Sequence, residues 1–146
     1  MSRRHPKDLI LYGLAVTDAA ARGKAVAHAE DGRAVLIEGA VPGDTVDVRV
    51  TKKSSRYYEG RVERLLTLSE KRTEPPCPHF GVCGGCRWQN MQYRWQLYYK
   101  QQEVENNLRR IGGVELPPIS PILGCEHEYY YRNKLEFSFA CRRWYT

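Results

Sequence analysis

Three closely spaced cysteines restrict what this chain can become more than any other feature. They fall in Pro76-Cys77-Pro78-His79-Phe80-Gly81-Val82-Cys83-Gly84-Gly85-Cys86, a C-x5-C-x2-C pattern. The C-x2-C half is the spacing at which two thiolates reach one metal centre without strain. Gly84 and Gly85 between them permit the positive φ of a tight wrap and let backbone N–H groups face sulfur. Pro76 and Pro78 stiffen the approach to the first thiol. The stretch reads as the ligand loop of a metal or iron–sulfur site, with Cys77, Cys83 and Cys86 as the ligands. The competing reading is a disulfide framework, buried structural thiols, or a redox pair of Cys83 and Cys86. It fits less well, because a redox C-x-x-C follows a strand and opens a helix, whereas prolines and glycines precede this one.

Composition narrows the setting. The chain has 146 residues, room for one ordinary domain or two small ones. Its formal net charge is +6, from 23 Lys and Arg against 17 Asp and Glu, which favours anionic partners, nucleic acid first among them. Ten tyrosines supply surfaces on which bases stack. The basic start Met1-Ser2-Arg3-Arg4 is followed by no long apolar run of a signal peptide, and no stretch approaches the roughly 20 apolar residues of a membrane span. Five cysteines, an odd number, then suit thiolate ligands in a reducing cytoplasm better than disulfides. Nothing in the pattern calls for a membrane or for an obligate protein partner.

In chain order, residues 1–7 read as a disordered basic tail and residues 8–68 as a small all-β domain. Leu9 to Tyr12, Ala25 to His28 and Ala34 to Ile37 are short apolar runs, the last two divided by the hairpin signal Glu30-Asp31-Gly32. Val41-Pro42-Gly43-Asp44 is a turn. Thr45 to Val50 alternates with period 2, and Tyr57 to Leu68 supplies a fifth run. Five short strands in some sixty residues imply a closed barrel of the OB type, because closure removes exposed sheet edges. Before the last strand lies Lys52-Lys53-Ser54-Ser55-Arg56-Tyr57-Tyr58. Lys52, Lys53 and Arg56 suit phosphates, and Tyr57 and Tyr58 suit stacking on splayed bases; the plainer alternative is a solvated hairpin with its tyrosines packed on the barrel.

Residues 69–76 are polar and proline-ended, and read as a linker. Residues 77–113 form a cysteine-loop domain with one helix over 88–111, its apolar stripe Tyr93, Leu97, Val104, Leu108 and Ile111. Trp88 and Trp95 are expected to pack this domain. Residues 114–146 are a proline-rich connector, then a strand from Leu135 with Leu135, Phe137 and Phe139 on one face. The fold class expected is therefore mainly β with one long helix.

Two sets of residues carry a resemblance to known proteins. Gly23-Lys24-Ala25-Val26-Ala27, Val35 to Asp44, and Lys52-Lys53 with Tyr57-Tyr58 resemble a TRAM domain, an OB-like barrel that binds RNA. The same barrel followed by Pro-Cys-Pro-His-Phe-Gly-Val-Cys-Gly-Gly-Cys, Trp88-Gln89, Tyr93, Gln96-Leu97 and Lys100 resembles the N-terminal part of the TRAM-containing RNA uracil-5-methyltransferases. That resemblance implies transfer of a methyl group from S-adenosylmethionine to C5 of a uridine in RNA, 23S ribosomal RNA more than transfer RNA. It implies a [4Fe–4S] cluster on Cys77, Cys83 and Cys86, with its fourth ligand beyond residue 146. It places Tyr-Arg-Asn-Lys, with Arg132 and Lys134 as RNA contacts, at the entry to a central β-region of which this chain holds only the start. The chemistry implied is covalent: a cysteine thiolate adds to C6, C5 takes the methyl group, and a carboxylate removes the C5 proton. No cysteine here sits in the family's catalytic motif, and no glycine-rich turn joins a strand to a helix as a cofactor-binding segment requires. The expectation is an inactive RNA-recognition fragment, with the catalytic domain outside it. The alternative is a free-standing RNA-binding OB module with a structural zinc, His79 or Cys125 completing a tetrahedron.

Overall fold

β-branched and small apolar residues alternate through the first half of the chain, and there the strands form. The computed structural model describes residues 9–131, 133, 134, 139 and 141. It contains β1 (Ile10–Ala15), β2 (Asp18–Ala20), β3 (Lys24–His28), β4 (Ala34–Glu38), β5 (Thr45–Lys53), β6 (Tyr57–Thr67) and one α-helix, α1 (Tyr93–Asn106). The helix continues into a π-helical turn, Asn107–Ile111.

The strands form one sheet in the order β1-β5-β6-β4-β3-β2. Its ladders are antiparallel except for the parallel pair β4 and β6. The first expected strand runs further than Tyr12 and is split in two. Val16 N–H donates to Asp44 O (2.9 Å), just ahead of β5, and the next residue, Thr17, donates to Val26 O (2.8 Å) on β3. The chain changes partner between consecutive residues, so β1 and β2 act as halves of one bent strand. That bend joins the two ends of the sheet and closes a barrel of five effective strands.

The alternating residues fill the barrel. Val46, Val48, Val35, Ile37 and Ala27 have no exposed surface, and Leu14, Val16, Ala25, Val50 and Tyr58 complete the cluster. Each buried Val or Ile contributes about 1.5–3 kcal/mol relative to exposure. The turn before β5 depends on Gly43. Its φ is +100°, and a Cβ there would lie 2.6 Å from Ser69 Oγ.

The second half departs from expectation in three ways. First, α1 starts at Tyr93 rather than at residue 88. Residues 90–92 instead pair with residues 71–73: Thr73 N–H donates to Asn90 O (3.1 Å), and Gln92 N–H to Lys71 O (2.9 Å). Backbone groups held across such a pair are unavailable to a helix. Second, residues 69–73 are a clasp and not a spacer. Asp44, fully buried, accepts Val41 N–H (2.6 Å), Ser69 N–H (2.9 Å) and two bonds from the Arg72 guanidinium (both 2.8 Å). Third, the helix buries a different face. Tyr99, with Trp88 and Trp95 half-buried beside it, packs on Met91, Val41 and Ala19. Val104, Leu108 and Ile111 of the expected stripe are exposed. Tyr93 turns to the connector, where its hydroxyl accepts Cys125 N–H (2.8 Å). The tail at residues 1–7, Arg132 and the strand expected from Leu135 to Ser138 lie outside the described residues. Among the described residues no helix is long and apolar enough to cross a membrane.

Candidate nucleic-acid interface and cysteine loop

The hairpin between β5 and β6 is short: Ser54 N–H donates to Tyr57 O (2.9 Å), and Lys53 stands opposite Tyr58, Lys52 opposite Glu59. A neighbouring turn holds it. Arg33, between β3 and β4, donates to Ser54 O (3.0 Å), to the Asp31 carboxylate and to the Tyr58 hydroxyl, and its guanidinium lies 4.0 Å from the centre of the Tyr58 ring. Arg33 holds the Asp31 carboxyl far below the usual carboxylate range. Burial, then the bond to Asp31, pushes the Tyr58 hydroxyl up.

The seven residues expected to meet RNA therefore separate. Tyr58 is 4% exposed and part of the barrel core, with Arg33 over its ring, so it offers no face to a base. Its alternation with Tyr57 in β6 points it inward. Lys52 is exposed but engaged, donating to Tyr57 Oη (3.3 Å) and Glu59 Oε1 (3.2 Å). Glu59 also accepts Lys24 Nζ at 2.6 Å. The bond from Lys24, then that from Lys52, holds Glu59 below its ordinary value, while Tyr57 and Glu59 push Lys52 up. Two ammonium groups on one carboxylate leave this patch one positive charge. Lys53 and Arg56 are the exposed cations at the tip, and Tyr57 is half-buried beside them. Lys134 is exposed, and Arg132 lies outside the described residues. Sequence reasoning missed Arg33, because nothing in its local pattern marks an arginine that closes a turn 21 residues away.

The cysteine loop is irregular, as its prolines and glycines require. Cys77 is half-buried, Cys83 and Cys86 are exposed, and all three are free thiols. Phe80 N–H donates to Cys77 O (3.0 Å) and Cys83 N–H to His79 O (3.1 Å), giving two successive turns. Gly84 has φ +72°, and Gly85 N–H lies 3.4 Å from Cys83 Sγ. The donor set, three thiols on one loop with an amide directed at sulfur, has the chemistry of a cluster ligand loop. Its geometry is open: among the described residues no three His, Cys, Asp or Glu side chains converge as a metal site. Cys125 is exposed, and its thiol donates to His127 O (3.2 Å).

The chain is 50% identical over 127 residues to an "Uncharacterized RNA methyltransferase" of Bacteroides thetaiotaomicron, covering 87% of this chain and 28% of that protein. It is 44% identical over 129 residues to one so named in Porphyromonas gingivalis, with 88% and 28% covered. A third, from Chlorobaculum tepidum, is 41% identical over 132 residues, with 90% and 27% covered. The family model described as "TRAM domain" matches residues 14–62, from within β1 into β6. Residues 14–62 thus match a TRAM domain, and most of the chain is similar to part of proteins named RNA methyltransferases. Its TRAM domain is the barrel, and the similarity to these relatives extends well past it. The chain spans just over a quarter of the length of the curated relatives it matches.

Proposed function

We propose that this chain is the RNA-recognition and cluster-bearing part of an enzyme that methylates C5 of a uridine in RNA, ribosomal rather than transfer RNA, with S-adenosylmethionine as methyl donor. The observation that carries the reading is the β5–β6 hairpin of the TRAM domain. It presents Lys53 and Arg56 at an exposed tip that Arg33 ties to the barrel. A tip held from behind meets phosphates with little further ordering, so its charge is delivered at a fixed place. Tyr57 stands beside it as a stacking edge, and Lys52 with Lys24 keeps the surrounding field positive.

The uridine and cofactor assignments rest on the cysteine stretch with Trp88, Gln89, Gln96, Leu97 and Lys100, as the sequence resemblance supplies them. In this reading Cys77, Cys83 and Cys86 would hold a [4Fe–4S] cluster, which would act as a structural anchor beside the barrel. The methyl-transfer step is assigned to the part of the relatives' length that this chain does not span. The segment alone binds RNA and transfers no methyl group.

Fluorescence anisotropy with a structured RNA hairpin across a salt series tests the recognition role. Lys53→Ala combined with Arg56→Ala is expected to weaken binding and to lower the slope of log K against log salt by about 1.4–1.8, two phosphate contacts' worth. Unchanged affinity and slope would discard the hairpin as the contact surface.

A further inference from the structure

A second surface lies away from the hairpin, where the bend between β1 and β2, the clasp and α1 meet. There a hollow of about 360 Å³ is lined by Thr17, Asp18, Lys71, Trp95, Tyr98 and Gln102, a size within the range of small-ligand sites. Tyr99 forms its inner wall. We infer that this hollow takes one unpaired ribonucleotide of the bound RNA, its base against Tyr98 and its phosphate at Lys71. The inference rests on the RNA-binding reading above and adds a nucleotide site to it.

The chemistry of the lining supports a planar polar ring bearing an anion. Tyr98 is 49% exposed, although it is an aromatic residue, and is held by edge contacts to Trp95 (centroids 5.7 Å apart, 83°) and Tyr99 (5.1 Å, 81°). A ring fixed from two sides and open on the rest is a stacking platform that loses little freedom on binding. The Lys71 ammonium lies 4.7 Å from the Trp95 ring centre and 5.4 Å from that of Tyr99, and donates to Tyr99 Oη at 2.8 Å. An ammonium has three donors, so two remain for phosphate oxygens once Tyr99 has taken one. The Asp18 carboxylate accepts from base N–H groups, and the Gln102 amide both donates and accepts, which covers the edge of an unpaired base. An apolar peptide or acyl chain would strand these polar groups. A second depression, of about 320 Å³, shares the lining residues Lys71 and Trp95 and adds Arg94, a cation for the neighbouring backbone.

The test uses the whole chain and a single-stranded oligoribonucleotide containing 4-thiouridine. Affinity is read by anisotropy for the parent, Tyr98→Ala, Tyr98→Phe and Lys53→Ala with Arg56→Ala, after thermal melts show each folded. Tyr98→Ala is expected to lose about fivefold or more, the lower end for one stacked base, and Tyr98→Phe to keep the parent affinity. Irradiation is expected to crosslink the peptide that carries Trp95 and Tyr98. Parent affinity in a folded Tyr98→Ala, or crosslinks confined to residues 52–58, would overturn the nucleotide site while leaving the hairpin reading in place. No binding by the parent chain would instead sink the RNA reading itself, and the site with it. If Tyr98→Ala fails to fold, the crosslink map and Lys71→Met, expected to lose affinity and to lower the salt slope by about 0.7, decide the same point.

Discussion

Glu59 takes two ammonium groups at once, and that makes it the residue through which pH acts on the barrel's basic edge. The bonds from Lys24 and Lys52 hold its folded-state value below the ordinary 4.5. A depressed carboxylate stabilises the fold fully above its unfolded value, and the contribution is lost as pH falls through the folded one. Glu59→Gln should therefore lower stability by roughly 0.5–1 kcal/mol at neutral pH. The gap between variant and parent should close as pH falls below 4.5, read from urea midpoints at several pH values. A constant gap down to acid pH would show that the carboxylate's charge is not what matters. In the proposed interface Lys52 would for the same reason be a poorer phosphate contact than Lys53, since moving it to RNA leaves Glu59 with one partner fewer.

The link between barrel and helix is made by the turn at residues 41–44 and the clasp that follows β6. Asp44 is fully buried, and the Arg72 guanidinium supplies two of its four bonds. Arg72→Ala leaves a carboxylate buried beside two amides, and is expected to cost about 3 kcal/mol, measured by urea unfolding. Arg72→Lys should recover only part, since an ammonium cannot make the paired geometry. A loss under 1 kcal/mol would mean that Asp44 finds another partner. These elements also mark how far the sequence could be read. Period-2 valines and the Gly43 turn announced the barrel, because burial and φ impose local patterns. The bend at Val16 and Thr17 left no such trace, since it is set by two partners, Asp44 and Val26, remote in the chain. The helix start was misplaced because Asn90 and Gln92 pair with residues some twenty positions earlier. Its buried face was misread because Trp95 and Tyr99, spaced one turn apart, pack toward the barrel, while Tyr93 and Leu97 meet the connector and Val104, Leu108 and Ile111 stay exposed. Of the site, the hairpin was legible as a charge and aromatic cluster. That one tyrosine faces inward, and that Arg33 stands over it, are tertiary facts.

At the scale of the whole molecule, the cysteine loop meets the barrel at Arg87, whose Cβ lies 2.4 Å from where a side chain on Gly23 would begin. If three thiolates there hold a cluster, chain purified without oxygen should contain iron and sulfide in equal amounts, about four of each. Cys83→Ser should lose both and lower the melting temperature of the loaded chain. Zinc alone would replace the cluster with a structural ion, and neither metal would leave the thiols with another role.

The Asp44–Arg72 fork also has a mechanical consequence. Because it locks the turn and the clasp together, the hairpin tip and the helix cannot drift apart independently. The molecule then behaves as a caliper of fixed opening. If the hairpin and the hollow both take RNA as proposed, an RNA that touches both jaws needs the matching span or must bend to reach it, and discrimination among RNAs would then arise from distance as well as from bases.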